Sequence, residues 1–318
     1  MAAAEHPVLR LLGERVAAGS RPSTRSDDAR LALAIEGGGM RGAITGGMAL
    51  AIDELGIAEA FDDVYGASAG ALNAAWLLSG AAGTGIRTWS DPELRTASMG
   101  PGNLLRRRPI VDSSYLTEVV YEELAPMPFE RILASEVGFH PLATDAASGE
   151  AVDLAPLIAD RGTLKLALRA TMALPLLSGR PIELGGRRFF DAGLAESIPF
   201  RTAIAQGVTH MLVLRSRRLG EQESADSGRS VRLVARYLSR HSIHVAEAFL
   251  GRADRLIRDD EDLSRWEADP AASPAVVSLR PPAGTPDISR LERSHDVVLA
   301  GLEAGRREAS AVLGAVLP

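Results

Sequence analysis

A serine between two glycines is the first residue of this chain whose setting could support covalent chemistry. The segment reads Gly66-Ala67-Ser68-Ala69-Gly70, a Gly-x-Ser-x-Gly pentapeptide. Such a pentapeptide is typical of a nucleophile elbow, a sharp turn between a strand and a helix that exposes the serine hydroxyl. Glycine at both ends leaves room where the strand and the helix approach each other. We therefore interpret Ser68 as a candidate nucleophile, and a tight turn with an incidental serine is the alternative for the pentapeptide alone.

A second glycine-rich segment precedes the pentapeptide and reads Gly37-Gly38-Gly39-Met40-Arg41-Gly42. A serine that attacks a carbonyl group requires hydrogen-bond donors aimed at the oxyanion that develops. Unobstructed glycine amides at the start of a helix suit negative charge. We predict that the amides of Gly38 and Gly39 are such donors, with the amide of Met40 as a further candidate. Arg41 either adds a positive charge near the site or anchors the loop.

The residues around both segments predict the elements that hold them. Leu31 to Ile35 is apolar throughout and has the length of a strand that is buried on both faces of a parallel sheet. Ala43 to Leu55 shows helical spacing, Asp63 to Tyr65 is a short strand, and Ala69 to Leu78 is rich in helix formers. Each glycine-rich segment therefore joins a strand to the N-terminus of a helix.

Further along the chain, strand and helix patterns alternate, which is typical of an α/β fold with a mainly parallel sheet. The predicted strands are 136–144, 150–154, two short strands within 181–190, 211–214 and 275–279. The predicted helices are 9–18, 115–124 with a cap at Ser113 or Ser114, 163–172, 199–206, 231–265 and 288–313. A polar loop is predicted over 216–228. We divide the chain into an N-terminal helix and linker, 1–30, and one α/β domain, 31–318, whose helical C-terminal part, 229–318, packs over the sheet.

Three segments in order make the chain resemble the patatin-like phospholipase family: Glu36 to Gly42, Gly66 to Gly70, and Asp191-Ala192-Gly193. The third mark of that family is an Asp-Gly-Ala/Gly tripeptide, and the middle alanine is close in size to the more usual glycine. The stretches 170–175 and 188–193 are also similar to the family's surroundings. Ser197-Ile198-Pro199 stands where the family often has Asn-x-Pro. The resemblance covers roughly residues 31 to 215.

The resemblance implies a three-layer α/β fold and a lipid acyl hydrolase that uses a dyad of Ser68 and Asp191, without histidine, metal or cofactor. Asp191 would accept the seryl proton and later activate the water that hydrolyses the acyl-enzyme. The reference pKa of an aspartate, about 3.9, lies far below that of a serine hydroxyl, so proton transfer must be coupled to attack. The oxyanion hole at 37–42 must therefore supply much of the stabilisation. The substrate would be a phospholipid, lysophospholipid, acylglycerol or short ester, with the acyl position open.

The composition argues against several other classes. The 318 residues contain no cysteine and carry a formal net charge of −6, so no disulfide can form and there is no general attraction for nucleic acid. Charged residues interrupt every long apolar stretch, so we expect neither a transmembrane helix nor a signal peptide. We expect a cytoplasmic protein that meets lipid, if at all, as a peripheral contact at the membrane surface. The sequence leaves the oligomeric state and any activating partner open.

Two charged runs have competing interpretations. Leu104-Leu105-Arg106-Arg107-Arg108 could face a membrane and pair with lipid phosphates, but a solvated charge run on a loop is the favoured interpretation. Asp259 to Asp262 is acidic throughout, yet its side chains point in different directions along a predicted helix. We interpret this run as a solvated face rather than a calcium site. No cluster of histidine and cysteine ligands indicates another metal.

An α/β-hydrolase with a Ser-Asp-His triad is the first alternative to the dyad. His241, His244 and His295 follow Asp191 in the required chain order. However, His241 and His244 fall on a predicted helix, and none of the three lies in a short glycine- or aspartate-flanked loop after a strand. The dyad is therefore favoured.

Two further alternatives use the same fold differently. A dinucleotide-binding site would use the Gly-x-Gly-x-x-Gly spacing of 37–42, with Asp62 or Asp63 about 20 residues further on. That interpretation leaves Ser68 and Asp191 unexplained. A non-catalytic binding or scaffold protein is disfavoured because both side chains and the glycine loop are present together.

Overall fold

The computed structural model describes residues 6–100, 102–221, 228–269 and 271–317. The strands are β1 (Leu31–Ile35), β2 (Asp63–Ala67), β3 (Gly138–Asp145), β4 (Ala151–Asp153), β5 (Ile182–Leu184), β6 (Arg187–Phe190), β7 (His210–Leu214) and β8 (Ala275–Leu279). The helices are α1 (Pro7–Ala17), α2 (Gly42–Glu54), α3 (Ala69–Leu78), α4 (Ala82–Gly85), α5 (Pro92–Ser98), α6 (Gly102–Leu105), α7 (Ser113–Tyr115), α8 (Phe129–Leu133), α9 (Arg161–Thr171), α10 (Phe200–Ala205), α11 (Arg229–Leu238), α12 (Ile243–Leu250), α13 (Arg252–Ala268) and α14 (His295–Gly314). Leu116–Leu124 continues α7 as a π-helix, and short 3₁₀ turns span Pro22–Thr24, Gly39–Arg41, Ala58–Ala60, Ile86–Trp89, Ala155–Leu157 and Ala192–Leu194.

The described strands form one sheet in the order β5-β6-β3-β2-β1-β7-β8, with β4 paired to β3. The five strands from β3 to β8 in that order pair in parallel, whereas β4, β5 and β6 pair antiparallel. Parallel strands end at a common edge, so the turns after β1 and β2 lie side by side. The predicted mainly parallel α/β sheet is therefore confirmed.

Strand β1 shows why the sheet is covered on both faces. Leu31, Leu33 and Ile35 join a core with residues of α2, α3 and α14, whereas Ala32 and Ala34 face a second core with residues of α10 and α13. Alternate side chains of a strand point to opposite faces, so an apolar run with no polar position requires helices on both sides. Helices on both faces of the sheet give the predicted three-layer arrangement.

The C-terminal part differs in detail from its prediction. The predicted helix 231–265 is three helices, α11, α12 and α13, because Ser242 caps the second helix and Gly251 separates the second from the third. The predicted helix 288–313 begins only at His295, capped by the Ser294 side chain. The residues before that cap run along the glycine loop instead. Strand β8 confirms the prediction for 275–279.

Two further predictions concern the cap of the segment 113–124 and the loop 216–228. The segment 113–124 is capped by Asp112, whose side chain accepts a hydrogen bond from the Tyr115 amide, and not by Ser113 or Ser114. Of the predicted loop 216–228, residues 222–227 lie outside the described residues. The proposed domain limits stay a prediction. No helix in the described ranges is long and apolar enough to cross a membrane.

Candidate active site

Ser68 occupies the turn between β2 and α3 in a strained conformation. Its backbone has φ +52° and ψ −122°, which side-chain-bearing residues rarely adopt. Strain of this kind clusters at functional turns. The Ser68 amide donates a hydrogen bond of 2.8 Å to Thr171 Oγ1, which fixes the turn against α9. The flanking glycines are needed because a Cβ on Gly66 or on Gly70 would overlap neighbouring backbone atoms.

Asp191 stands directly after β6 and reaches the serine. Ser68 Oγ donates a hydrogen bond of 2.7 Å to Asp191 Oδ2. The other carboxylate oxygen, Oδ1, accepts from the Gly193 amide at 2.8 Å. The carbonyl of Asp191 accepts from Thr144 Oγ1 at 2.8 Å, which ties this turn to β3. The fold thus brings together two residues that lie 123 positions apart along the chain. Hydrogen bonds orient both carboxylate oxygens of Asp191.

Burial makes Asp191 an unusually basic carboxylate. Asp191 and Ser68 are both buried, and the exposed fractions of these residues are only 4% and 9%. Desolvation raises the pKa of Asp191 to about 6, although the hydrogen bonds from Ser68 and Gly193 and the charge of Arg290 act in the opposite direction. A general base works best with a pKa near the working pH.

Two amides of the glycine loop donate no hydrogen bond to any described residue. The Gly37 amide donates to the Ser197 carbonyl and the Met40 amide donates to the Arg290 carbonyl, both at 3.0 Å. Within the described residues, the amides of Gly38 and Gly39 have no acceptor. The amides of Gly38 and Gly39 therefore remain the candidate donors to an oxyanion. The Met40 amide is excluded because it already donates to the Arg290 carbonyl.

The loop is held by buried charges beneath it. Glu36 accepts hydrogen bonds from Arg215 Nε at 3.0 Å and from the Ser216 amide at 2.7 Å. Burial alone would raise the pKa of Glu36, but the charges of Arg215 and Arg217 hold it below its ordinary value. Ser216 Oγ donates to the Gly37 carbonyl at 3.1 Å. The end of β7 thus anchors the end of β1 and the first glycine.

Arg41 lies over the loop and is almost without hydrogen bonds. Its Nε and Nη2 atoms are buried and have no hydrogen-bond partner. Burial and the charge of Arg217 lower the pKa of Arg41. Burial and the charges of Arg41 and Arg217 likewise lower the pKa of Arg290 to about 10. Arginine charge is therefore concentrated beside the glycine loop, where an oxyanion would form.

An apolar cavity of about 90 Å³ opens onto Ser68. Its wall combines residues of the glycine loop and elbow with side chains from 88–121 and from the end of α9, among them Met40, Leu72, Trp89, Leu94, Met99, Leu116, Val120, Tyr121, Met172 and Leu174. Most of the lining is apolar, and its polar members are Ser68, Thr88, Arg95, Ser98, Asp112 and Ser113. Such a lining suits an unbranched hydrocarbon chain.

The three candidate histidines of the alternative triad are engaged elsewhere. His241 lies in the turn between α11 and α12, not on a helix as predicted, and its ring packs edge-on against Phe190 at 5.2 Å. His244 Nδ1 is 3.8 Å from Glu247, and His295 Nδ1 is 2.6 Å from the Ser90 carbonyl oxygen. In the described part of the chain, none of them hydrogen-bonds to Ser68 or to Asp191.

The acidic run in α13 is an ion-pair surface rather than a solvated face. Asp259 is buried and pairs with Arg201 at 2.7 Å, and Asp260 pairs with the buried Arg215 at 2.6 Å. The prediction of a solvated face is wrong for Asp259 and Asp260, because both are paired with arginines, whereas Glu261 is exposed. Arg215 also pairs with Glu36, which links α13 to the glycine loop. No group of acidic, histidine or cysteine side chains within the described ranges could hold a metal ion.

Comparison with known families identifies the family of the chain. The sequence model of the family described as patatin-like phospholipase matches residues 33–204, more than half of the chain. The chain belongs to the patatin-like phospholipase family. This family consists of lipid acyl hydrolases, and its model spans the glycine loop, Ser68 and Asp191 of this chain. The resemblance stated from the three motifs is thus confirmed.

One relative of this patatin-like chain is the uncharacterized protein YjjU of Escherichia coli strain K12. The two are 26% identical over 194 residues. The match covers 59% of this chain and 52% of YjjU, so the chain spans about half the length of that relative. The name of YjjU gives no substrate.

The sequence did not indicate several residues that hold the patatin-like site. Arg290 and Ser216 come from segments that lie far from the motifs along the chain, and Thr171 lies in the stretch 170–175, whose resemblance to the family does not indicate its hydrogen bond to Ser68. The spacing of 288–313 predicts a helix at Arg290, which instead precedes α14. Glu36 is an exception, because it directly precedes the glycine loop in the sequence. A buried carboxylate at that position requires a cation, so its place in the sequence indicates a charged partner.

Proposed function

We propose that the chain is a serine acyl hydrolase that cleaves carboxylic esters of lipids through a dyad of Ser68 and Asp191. The observation that carries this proposal is the 2.7 Å hydrogen bond from Ser68 Oγ to a buried carboxylate whose pKa is raised by burial to about 6. A carboxylate in that setting can accept a proton from the attacking hydroxyl. The family to which the chain belongs supports the same reaction.

In the first half of the reaction, Ser68 Oγ attacks the ester carbonyl carbon while its proton passes to Asp191 Oδ2. The negative charge that develops on the carbonyl oxygen is held by the amides of Gly38 and Gly39. The Ala69 amide, at the start of α3, is a third donor at the position usual for a nucleophile elbow. When the intermediate collapses, the C–O bond breaks and the leaving alcohol takes the proton from Asp191.

In the second half, Asp191 accepts a proton from water, whose oxygen attacks the acyl carbon of the acyl-enzyme. The same amides stabilise the second oxyanion. Collapse releases the carboxylic acid and returns the proton to Ser68 Oγ. The apolar cavity beside Ser68 holds the acyl chain during both halves, because its lining offers hydrocarbon contacts and few polar groups.

Membrane contact would occur through the exposed leucines of α6. Leu104 and Leu105 are exposed by 58% and 91%, and they precede the arginine run. Exposed leucines beside arginines fit the headgroup region of a bilayer. The contact would be peripheral, which agrees with the expectation from the sequence.

Labelling with a fluorophosphonate probe, read by intact mass, tests the proposed nucleophile. One adduct is expected on the unmodified chain, no adduct on Ser68→Ala, and strongly slowed labelling on Asp191→Asn. Circular dichroism of each variant provides the folding control. A folded wild-type chain that takes no adduct, or an adduct that persists on Ser68→Ala, would contradict the proposal.

A further inference from the structure

Helix α11 presents a row of arginines that the proposed reaction does not use. These arginines recur at spacings of three and four residues, which places them along one face of the helix and of the turn that follows it: Arg229, Arg232, Arg236 and Arg240. We call these four residues the arginine stripe. The opposite face of α11 packs in a core with Phe190 through its apolar side chains, Val231, Val234 and Leu238. The helix is therefore amphipathic, with its basic face turned to solvent.

The arginine stripe carries positive charge that no neighbour compensates. All four arginines are exposed, and none of them has an ion pair in the described part of the chain. Residues 228–246 contain no acidic residue, although the whole chain has a formal net charge of −6. Glu223 and Asp226 precede this stretch in the sequence and lie outside the described residues. A local excess of positive charge on an acidic protein favours an anionic partner.

Exposed apolar side chains stand among these charges. Leu233 lies next to the stripe on α11 and is 62% exposed, and Ile243, the first residue of α12, is 59% exposed. On a bilayer, arginines pair with lipid phosphates at the surface while neighbouring apolar side chains enter the acyl boundary. A nucleic acid or a soluble polyanion offers no hydrocarbon for such side chains. The combination therefore matches a lipid surface better than an acidic macromolecule.

Helix α11 is attached to a loop that reaches the cavity at Ser68. Tyr237 Oη donates a hydrogen bond of 3.2 Å to the Gly179 carbonyl, within the loop 174–180. The first residue of that loop, Leu174, lines the apolar cavity that opens onto Ser68. A surface that binds the arginine stripe would therefore adjoin the loop that forms part of the cavity wall.

The same loop joins α11 to the exposed leucines of α6. A Cβ on Gly179 would lie 3.6 Å from Pro109 Cγ. Pro109 directly follows the arginine run 106–108, and that run directly follows Leu104 and Leu105. Two basic segments with exposed leucines thus meet at one loop. A surface of that extent suits a bilayer, which can contact both segments at once, better than it suits a small ligand.

We propose that the arginine stripe of α11 docks on a bilayer surface that carries anionic lipids, and that this docking holds the loop 174–180 at the lipid. The inference rests on the proposed function, since it explains how an ester within a bilayer reaches Ser68. The headgroup of the ester that is cleaved plays no part in it, because the stripe binds the surrounding lipids. The stripe would therefore control activity on bilayers and not the chemistry at the dyad.

Flotation with lipid vesicles tests the docking without turnover. Ser68→Ala protein should bind vesicles of phosphatidylcholine with about 30% phosphatidylglycerol at least about tenfold more tightly than vesicles of phosphatidylcholine alone. The double variant Arg232→Ala/Arg236→Ala in the same background should lose about tenfold of that affinity. The control Arg258→Ala/Arg307→Ala removes the same charge from exposed positions on α13 and α14 and should stay within about threefold of the parent protein.

The outcomes of the flotation experiment decide the docking. Equal binding to the two kinds of vesicle, or no binding to either, would overturn the proposal. An equal loss of affinity in the two double variants would also overturn it, because net charge and not the stripe would then be responsible. Circular dichroism confirms that each variant remains folded.

Heparin separates a lipid surface from an acidic macromolecule, because it is a soluble polyanion without hydrocarbon. Leu233→Ser should weaken binding to the anionic vesicles by at least about threefold, since the serine side chain gains nothing from the acyl region. The same variant should elute from a heparin column at the same salt concentration as the parent protein. A Leu233→Ser variant that binds vesicles like its parent would assign the stripe to an acidic macromolecule and contradict the proposal.

Kinetics on two esters connects the docking to the proposed function. With Ser68 intact, Arg232→Ala/Arg236→Ala should hydrolyse soluble p-nitrophenyl butyrate at the wild-type rate and lose about tenfold of its rate on lauroylglycerol in anionic vesicles. An equal loss on both esters would contradict a docking role. If the wild-type chain hydrolyses neither ester, the proposed function fails, while the flotation of Ser68→Ala protein still decides the docking.

Discussion

Two buried aspartates with opposite environments lie near the two ends of strand β2: Asp63 at its start, and Asp191, which follows β6, beside Ser68 at its end. At its start, Asp63 accepts hydrogen bonds from Arg30 at 2.6 Å and from His140 at 3.0 Å. Burial would raise the pKa of Asp63, but these two partners hold it below its ordinary value. Beyond its end, Asp191 meets a serine hydroxyl and one amide, and burial raises its pKa to about 6. A carboxylate whose pKa is lowered by cationic partners stabilises the fold, whereas one whose pKa is raised by burial is available as a base.

The cluster at the start of β2 is completed by a second carboxylate. His140 stacks on Tyr65 with ring centroids 4.4 Å apart, and its Nδ1 is 2.7 Å from Asp153. Burial opposes protonation of His140, but its two aspartate partners raise its pKa to about 9. The comparison predicts that variants at the start of the strand lower stability, whereas variants at its end lower activity.

The largest expected effect is on turnover at the serine end. Asp191→Asn should reduce kcat for an ester substrate by at least about 10⁴-fold, as loss of a catalytic group does in other serine hydrolases. Asp63→Asn is the matched control at the other end and should retain kcat for its folded fraction. Steady-state kinetics makes the comparison, on protein quantified by absorbance and with the folded fraction measured by circular dichroism. Full activity in Asp191→Asn would remove the basis for calling it the base.

The second-largest expected effect on kcat comes from the oxyanion donors. Gly38→Val should lower kcat by on the order of 10²- to 10³-fold, the usual cost of losing one such donor. A Cβ at this position would lie 3.1 Å from Ser216 Oγ and 3.2 Å from Arg41, so the loop must shift. Gly284→Val serves as control because nothing lies within 4 Å of a Cβ there. Retained activity in Gly38→Val would mean that the loop has another role.

Stability should change in the opposite sense at the two ends. The folded pKa of Asp191 lies above its ordinary value of 3.8, so this carboxylate costs stability increasingly as the pH rises through about 6. Asp191→Asn should therefore stabilise the fold at pH 8 by up to about 3 kcal/mol, because each pKa unit is worth about 1.4 kcal/mol. Asp63→Asn should destabilise it by on the order of 1–4 kcal/mol. Urea unfolding measures both, and equal signs for the two variants would break the comparison.

The pH dependence of stability gives a smaller and complementary effect. The pKa of His140 is raised from 6.5 to about 9, so its contribution is fully present below 6.5 and is lost as the pH rises through about 9. The free energy of unfolding should therefore fall between those values in the wild-type chain. In His140→Ala that fall should disappear. An unchanged profile in the variant would show that the histidine is neutral in the folded state.

Local patterns account for what the sequence predicted. Leu31 to Ile35 is buried on both faces, and Gly70 lies where strand and helix touch, so residue type alone specifies the strand and the turn. The rest of the site depends on pairings across the chain. Arg215 joins Glu36 to Asp260, and the Arg290 carbonyl binds the Met40 amide, and neither contact leaves a local pattern. The acidic run in α13 differs from its prediction for the same reason, because its partners Arg201 and Arg215 lie far from it along the chain.

The central claim is that Asp191, without a histidine, activates Ser68, and the pH dependence of fluorophosphonate labelling tests it most directly. The labelling rate of the wild-type chain should rise with pH and reach half its maximum near pH 6, the pKa expected for Asp191. The variant His241→Ala/His244→Ala/His295→Ala should give the same curve, because none of these histidines contacts the dyad in the described structure. A curve that is lost in the triple histidine variant while the protein remains folded would contradict the account and establish a triad.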